Sequence, residues 1–495
     1  MFPPVVDLPP ELYRVDVPNY PNALISSEYG SVLETPPSGE DWRAERMAIA
    51  DQEWSEGSQS QHTELLNAIG AQAWHDEDHL GQDISIAVFD LEWLGFEELE
   101  PLKNVQTHDC VKHRSCAPEI DPYSARFAFE QGGHGVACAE VIQQIAPQSQ
   151  VHLVRVNSLT SLENAISWSL ENNIDIISMS LSFFKESFYD GNGPVNDQMD
   201  RLLGSSTLMV TSAGNYADQH YRGTFSDGDL NGFHQFDHGT EYLPIHLEPG
   251  SYRFTLIWDQ MGQCGESDIN AWVQSPDGLI VGRGVHEQNI GSIPCFPGEN
   301  ITVRTEESGW HYIRLELVRG AGSVDFDLMA RGGFLFHAMP QGSIVDPGNH
   351  PGVLTVGSHR LQNYLFQPIE SFSSQGPTIS GVFKPDIAAP NGLNTEIFGT
   401  RAFYGTSAST PVAAGAIALF MSGTGLNSYE AASVLKANAL SNKDDRPEEN
   451  GHGRLRLPPP NTSSSCSNSW ALFPLLLTSS LWRRRRDKTG KQRNA

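Results

Sequence analysis

Two periodicities alternate along this chain. Between residues 62 and 219, short runs that are apolar at nearly every position, ISIAVFD at 84–90, VHLVRV from Val151, IDIISMS from Ile174 and TLMVTSAGN from Thr207, are separated by segments of helical spacing. Leu65, Leu66, Ile69 and Trp74 recur at that spacing, and so do Leu162, Ala165, Ile166 and Leu170. A near-continuous apolar run predicts a strand covered on both faces, and the three-and-four spacing predicts the helices that cover it. Thr160 and Glu163 stand at capping-box spacing and predict a helix start there. Strand and helix in alternation imply right-handed crossovers and a doubly wound, mostly parallel α/β sheet.

At Tyr216 the rhythm breaks. YRFTLIWD places Tyr252, Phe254, Leu256 and Trp258 on one face, HYIRLEL and SVDFDLM alternate in the same way, and Glu248-Pro249-Gly250 and Pro276-Asp277-Gly278 read as turns. This period of two predicts an antiparallel β-sandwich. HPGVLTVGS from His350 and FKPDIAAP then resume the earlier pattern, so the sandwich is inserted within the α/β domain. The expected division is an arm at 1–61, a first α/β part at 62–219, the insert at 220–342, a second α/β part at 343–440, a linker at 441–465 and a tail at 466–495.

Composition changes the picture mainly at the two ends. The arm holds eight prolines before position 40 and reads as extended chain. The tail runs from Cys466 through an apolar stretch, Trp470 to Trp482, into Arg483 to Arg486. Thirteen helical residues span about 20 Å, too short to cross a bilayer. The net charge is −28, and the seven basic residues from Arg483 onward leave 25 basic against 59 acidic in the rest. Such a body repels nucleic acid and anionic membrane, which excludes nucleic acid as a partner. The cysteines fall as Cys110 with Cys116, Cys264 with Cys295, and Cys138 and Cys466 alone; the two local pairs are compatible with disulfides in an oxidising compartment, while six cysteines in 495 residues also suit a reduced cytosolic protein.

The candidate chemistry lies where strands end and helices begin, the usual place for function in an open parallel sheet. Asp90 ends the first strand, His134 opens an apolar helix in GGHGVACAEVI, Asn215 closes TSAGN, and Ser407 opens the last long helix in GTSASTPVAAG. Singly, each has a plain structural explanation as a cap or turn residue. Jointly they are a nucleophile, a base, an acid to orient that base and an oxyanion donor. A serine hydroxyl attacks only when an imidazole takes its proton, a carboxylate fixes that imidazole, and preorganised donors stabilise the oxyanion. Ser407, His134 and Asp90 are assigned to the first three roles, and the Asn215 amide with the Ser407 backbone N–H to the last.

Asp, His, Asn and Ser in that order, with IAVFD, HG, SAGN and GTSASTP around them, resemble the subtilisin-like serine proteases over roughly residues 62–219 and 343–440. The resemblance implies a seven-stranded parallel sheet, endopeptidase activity through an acyl-enzyme, and a cleft lined by Ser180, Leu181, Ser182, Ala213 and Gly214 beside Asn215, in which substrate pairs as an added strand. Protein or peptide substrates are the implied partners, with no cofactor required. Four features depart from the family pattern: Leu91 and Glu92 follow Asp90, Gly135-Val136 follows His134, Ser182 stands where a glycine is usual and would narrow the first specificity pocket, and 191 residues separate Asn215 from Ser407.

The alternative from another class is a surface binding protein on this scaffold that has lost catalysis. Cys138, one turn beyond His134, reads as a small buried residue, or as a thiol conferring sensitivity to mercurials, as in a cysteine-bearing branch of the family. Asp259, Asp268 and Asp277 are the candidates for a structural calcium. The tail resembles bacterial surface-sorting signals and implies secretion or attachment to membrane or cell surface. MFPPVVDLPPELYRVDVPNY carries no export signal, a conflict removed if translation starts upstream of Met1.

Overall fold

The computed structural model describes residues 60–460, apart from short breaks at 103–104, 112–113, 122–132, 238, 262–265, 289–296, 321–322 and 400. The arm up to residue 59, the tail with Cys466, and Cys264 and Cys295 lie outside the described residues.

The first sheet takes β1 (Ser85–Asp90), β2 (Gln106–Asp109), β3 (Ala117–Pro118), β4 (Gln150–Arg155), β5 (Ile176–Met179) and β6 (Leu208–Ser212) from the first part of the chain. Nine strands of the second sheet follow: β7 (His220–Thr224), β8 (Leu243–Leu247), β9 (Gly250–Trp258), β10 (Asp268–Gln274), β11 (Ile280–Gly284), β12 (Gly298–Thr305), β13 (Gly309–Arg319), β14 (Asp325–Arg331) and β15 (Phe334–Leu335). The chain then returns to the first sheet with β16 (Leu354–Arg360) and β17 (Ile387–Asn391).

The first sheet has the order β17-β16-β6-β5-β1-β4-β2-β3, parallel throughout except for the antiparallel β2–β3 pair at its edge. β1 sits inside it, in register from Ser85 opposite Gln150 to Asp90 opposite Arg155. Its unbroken apolar run has a direct cause. Ile86 and Val88 point into the core beneath the helices His134–Ile145 and Thr406–Thr424, while Ala87 and Phe89 point into a second core with Leu162 and Ile166 of helix Leu159–Glu171. With both faces dry, no position of the strand has water to face.

Two expectations need correction. Helix Leu159–Glu171 is capped by Ser158, not Thr160: the Ser158 hydroxyl accepts from the Ser161 amide, and the Ser161 side chain takes the Ser158 amide in return. A serine at the third helical position does the work of the expected glutamate, and the helix starts before Thr160. The stretch from 441 to 460 is not a linker either. Leu455 and Leu457 are core residues, Arg454 is buried against Asp445, and the backbone of Arg454 bridges both Leu440 and Ala388. Proline and charge in this stretch look like a linker, although alternate residues face inward.

The second sheet is antiparallel, in the order β15-β8-β13-β10-β11-β12-β9-β14-β7. It folds over on itself, because Leu243, Ile245 and Leu247 of β8 share one core with Phe254, Leu256 and Trp258 of β9, five places along the order. Two leaves thus face each other as a sandwich, joined where β11 meets β12 through two residue pairs. Entry and exit lie side by side: the Leu335 amide donates to the Asp218 carbonyl, and that of Met339 to His220. Among the described residues no single helix is long and apolar enough to cross a membrane.

Candidate active site

β1 delivers Asp90 fully buried at its carboxyl end. One carboxylate oxygen accepts from the amides of Leu91 (2.7 Å) and Glu92 (3.3 Å), and the other faces His134 Nδ1 at 2.7 Å. Leu91 and Glu92, unusual by side chain, serve here through their backbone. Both carboxylate oxygens are thus engaged, one by backbone amides and the other by the imidazole. His134 opens its helix immediately after Gly133, whose left-handed φ of 81° turns the chain into the first turn. A Cβ on Gly135 would lie 2.6 Å from that of Asp90, so only glycine lets the helix start this close to the strand. The ring of Phe403 meets the His134 ring edge-on at 5.6 Å.

Ser407 is the second residue of helix Thr406–Thr424 and lies at its positive end, 8% exposed. Pro411 lies within the same helix and has no N–H to give the carbonyl four residues back, that of Ser407. The Ser180 hydroxyl (3.1 Å) and the Cys138 thiol (3.7 Å) donate to it instead. The Cys138 sulfur lies within 4.8 Å of ligand atoms of both Asp90 and His134, so one thiol touches both halves of the site. Burial, and then the Asp90 charge, push that thiol well above its usual pKa. It is therefore a neutral donor.

Asn215 follows β6. Its side-chain oxygen accepts from both the amide and the hydroxyl of Thr406, each at 2.9 Å, and the Thr406 hydroxyl in turn accepts from the Gly214 amide at 3.2 Å. An amide whose oxygen is held by two donors presents its nitrogen the other way. Thr406 thus orients Asn215, a role that the hydroxyl-rich GTSAST motif contains but does not single out. Ser180, Leu181 and Ser182 follow β5, where the Ser180 hydroxyl reaches the Ser407 carbonyl, and Ala213 and Gly214 follow β6, where the Gly214 amide reaches the Thr406 hydroxyl.

Glu140 escaped notice in the sequence. It is buried on the His134 helix and accepts from the amides of Glu396 (2.6 Å) and Ile397 (3.1 Å), and Ile397 packs over Gly133. Its carboxyl rises to about 8, mainly through burial. The three acids considered for calcium do not gather. Asp259 lies beside Asp325, Asp268 faces Arg319 at 4.0 Å, and Asp277 accepts from Ser275. Among the described residues the one group of three potential metal ligands is Asp90, His134 and Cys138.

The subtilase family model matches residues 81–232 and 318–454, more than half of the chain, and passes over most of the second sheet. The chain belongs to the subtilase family. Subtilisin from Bacillus pumilus is 26% identical over 166 residues, 30% of this chain and 54% of the relative. Subtilisin E from Bacillus subtilis (strain 168) is 25% identical over 166 residues, 30% of this chain and 39% of the relative. The chain thus spans about half, or less, of the length of these subtilases. Among solved structures, the Clostridium perfringens CspB protease superposes with a TM-score of 0.55 at 17% identity, covering 79% of this chain and 97% of the other; that likeness is one of fold.

Proposed function

We propose that this subtilase is a serine endopeptidase that hydrolyses peptide bonds through an acyl-enzyme. The observation that carries the reading is the 2.7 Å contact between Asp90 and His134 Nδ1 at the mouth of the helix that opens with Ser407. In this reading Asp90 fixes the tautomer of His134 and stabilises the imidazolium, His134 takes the Ser407 proton and returns it to the leaving amine, and Ser407 attacks the carbonyl. The Asn215 amide and the Ser407 N–H, at the positive end of a helix, receive the oxyanion. Substrates are proteins or peptides, pairing along residues 180–182 and 213–215, and the steps call on no cofactor. The Cys110–Cys116 disulfide and the sorting-like tail support a place outside the cell.

A fluorophosphonate probe tests the reading, because it reacts with a serine only when a base activates it. Wild-type protein is expected to label, and Ser407→Ala and His134→Ala to lose labelling while remaining folded by circular dichroism. A folded wild type that stays unlabelled would give the lead to a binding protein on a silent scaffold.

A further inference from the structure

We propose that Tyr216 and Phe184 close the pocket for the side chain on the acyl side of the scissile bond, so that this chain cleaves after small residues. The inference rests on the peptidase reading and names its substrate class.

β5 and β6 are parallel neighbours, paired from Ile176 with Leu208 to Met179 with Thr211, and the residues that follow each strand reach the start of the Ser407 helix. The Ser180 hydroxyl holds the Ser407 carbonyl, and Asn215 holds Thr406. An acyl group on the Ser407 hydroxyl with its oxygen at the Asn215 amide must direct its side chain into the space between these two continuations. Two rings span that space. Tyr216 folds back beneath Gly214, its ring carbons lying 2.5 and 2.6 Å from where a Gly214 Cβ would stand, and it is only 6% exposed. Phe184, from the other continuation, meets it edge-on at 5.4 Å between centroids. Ser182, half-buried on the same wall, adds a hydroxymethyl where a glycine would leave space.

The rings cannot withdraw easily, because the second sheet stands behind them. Tyr216 and Phe184 share an apolar cluster with Ile257 of β9 and Met329 of β14, and the Arg331 guanidinium lies 4.2 Å over the Phe184 ring. An entering side chain larger than a methyl or hydroxymethyl group would have to displace an aromatic pair braced by a separate hydrophobic core, at the usual cost of overpacking. Glycine, alanine and serine fit. The insert therefore shapes specificity by bracing the pocket floor from behind.

The test uses the full chain and a set of fluorogenic peptides identical except for glycine, alanine, leucine or phenylalanine at the position before the cleaved bond, with rates expressed per fluorophosphonate-labelled site. Wild type is expected to show its highest kcat/KM with alanine or glycine. Tyr216→Ala, and independently Phe184→Ala, should raise the phenylalanine-to-alanine ratio of kcat/KM at least about tenfold, within the range by which pocket contacts discriminate apolar groups. Either variant alone suffices if the other does not fold. A wild type that prefers phenylalanine or leucine, or labelled variants with an unchanged ratio, would overturn the proposal. A folded wild type that takes no label would instead overturn the peptidase reading, and this inference with it.

Discussion

The two sheets differ in where their loops go. In the first, the parallel strands all end at one edge, so Asp90 after β1, Ser180 after β5 and Asn215 after β6 arrive at the same place, where two helices also begin. In the second, antiparallel strands send their connections alternately to opposite ends. Burial differs to match. β1, β5 and β6 are dry on both faces, whereas β12 alternates buried and exposed positions along most of its length. Parallel connectivity thus gathers the candidate residues at one edge, while the sandwich contributes a core of its own.

Substitutions can break that contrast. The largest effect belongs to the first sheet: Ser407→Ala or His134→Ala should lower kcat by about 10⁶-fold, a magnitude taken over from a subtilisin, where it was measured. Steady-state hydrolysis of a fluorogenic peptide checks it. A residual rate within tenfold of wild type would mean that the chemistry lies elsewhere. Next, Asn215→Ala should lower kcat about 10²–10³-fold with little change in KM, again the range known from a subtilisin. Thr406→Val should reproduce part of that loss by freeing the Asn215 side chain to rotate. If Thr406→Val raised KM and left kcat unchanged, Thr406 would be serving the cleft and not the oxyanion donor.

Within the sandwich the expected loss is of stability. Trp258 is fully buried between the leaves, and Trp258→Ala should cost about 3–5 kcal/mol in denaturant unfolding. Should the midpoint stay put, the two leaves would not be sharing one packed core. A smaller effect separates the sheets by pH. The Glu140 carboxyl is lifted from 4.5 to about 8 in the folded chain, so the native state keeps a proton that the unfolded chain releases. That contribution to stability is complete below about 4.5 and is lost as pH rises through about 8. Melting temperatures of Glu140→Gln should therefore fall less steeply than those of wild type across this interval, and parallel curves would refute the assignment. The least effect is expected from Cys110→Ser with Cys116→Ser: a closure of six residues is worth about 2 kcal/mol at most. Calorimetry of the paired variant would read it.

Much of this is legible in the order of the residues. Near-continuous apolar runs announce the parallel strands, period two announces the sandwich, and His134, Asn215 and Ser407 sit in small-residue frames that permit close approach, as Gly135 does against Asp90. What escaped the sequence depends on contacts between distant segments. Nothing near Glu140 in the chain reveals that it accepts amides from 396 and 397, and the consequence of Pro411 for the Ser407 carbonyl appears only when Ser180 and Cys138 arrive to fill it. The difference at Thr160 is a matter of register, since serines at 158 and 161 offer the same reciprocal bonds two residues earlier. The supposed linker failed because Leu455 and Leu457 are two apolar residues among polar ones, too few to show a period yet enough to seal a core.

The adjacent entry and exit of the sandwich bear on how the chain reaches its native state. β6 pairs with β16, from Leu354 opposite Val210 to Val356 opposite Ser212, although the whole insert lies between them. In an unfolded chain that pairing requires closing a very long loop, and non-local pairing of this kind slows folding. Once the sandwich has formed, its ends are held together by the bonds from Leu335 to Asp218 and from Met339 to His220, and the remaining search is that of a short connection. The sandwich is thus expected to fold first and to act as an internal template, with the parallel sheet completed last.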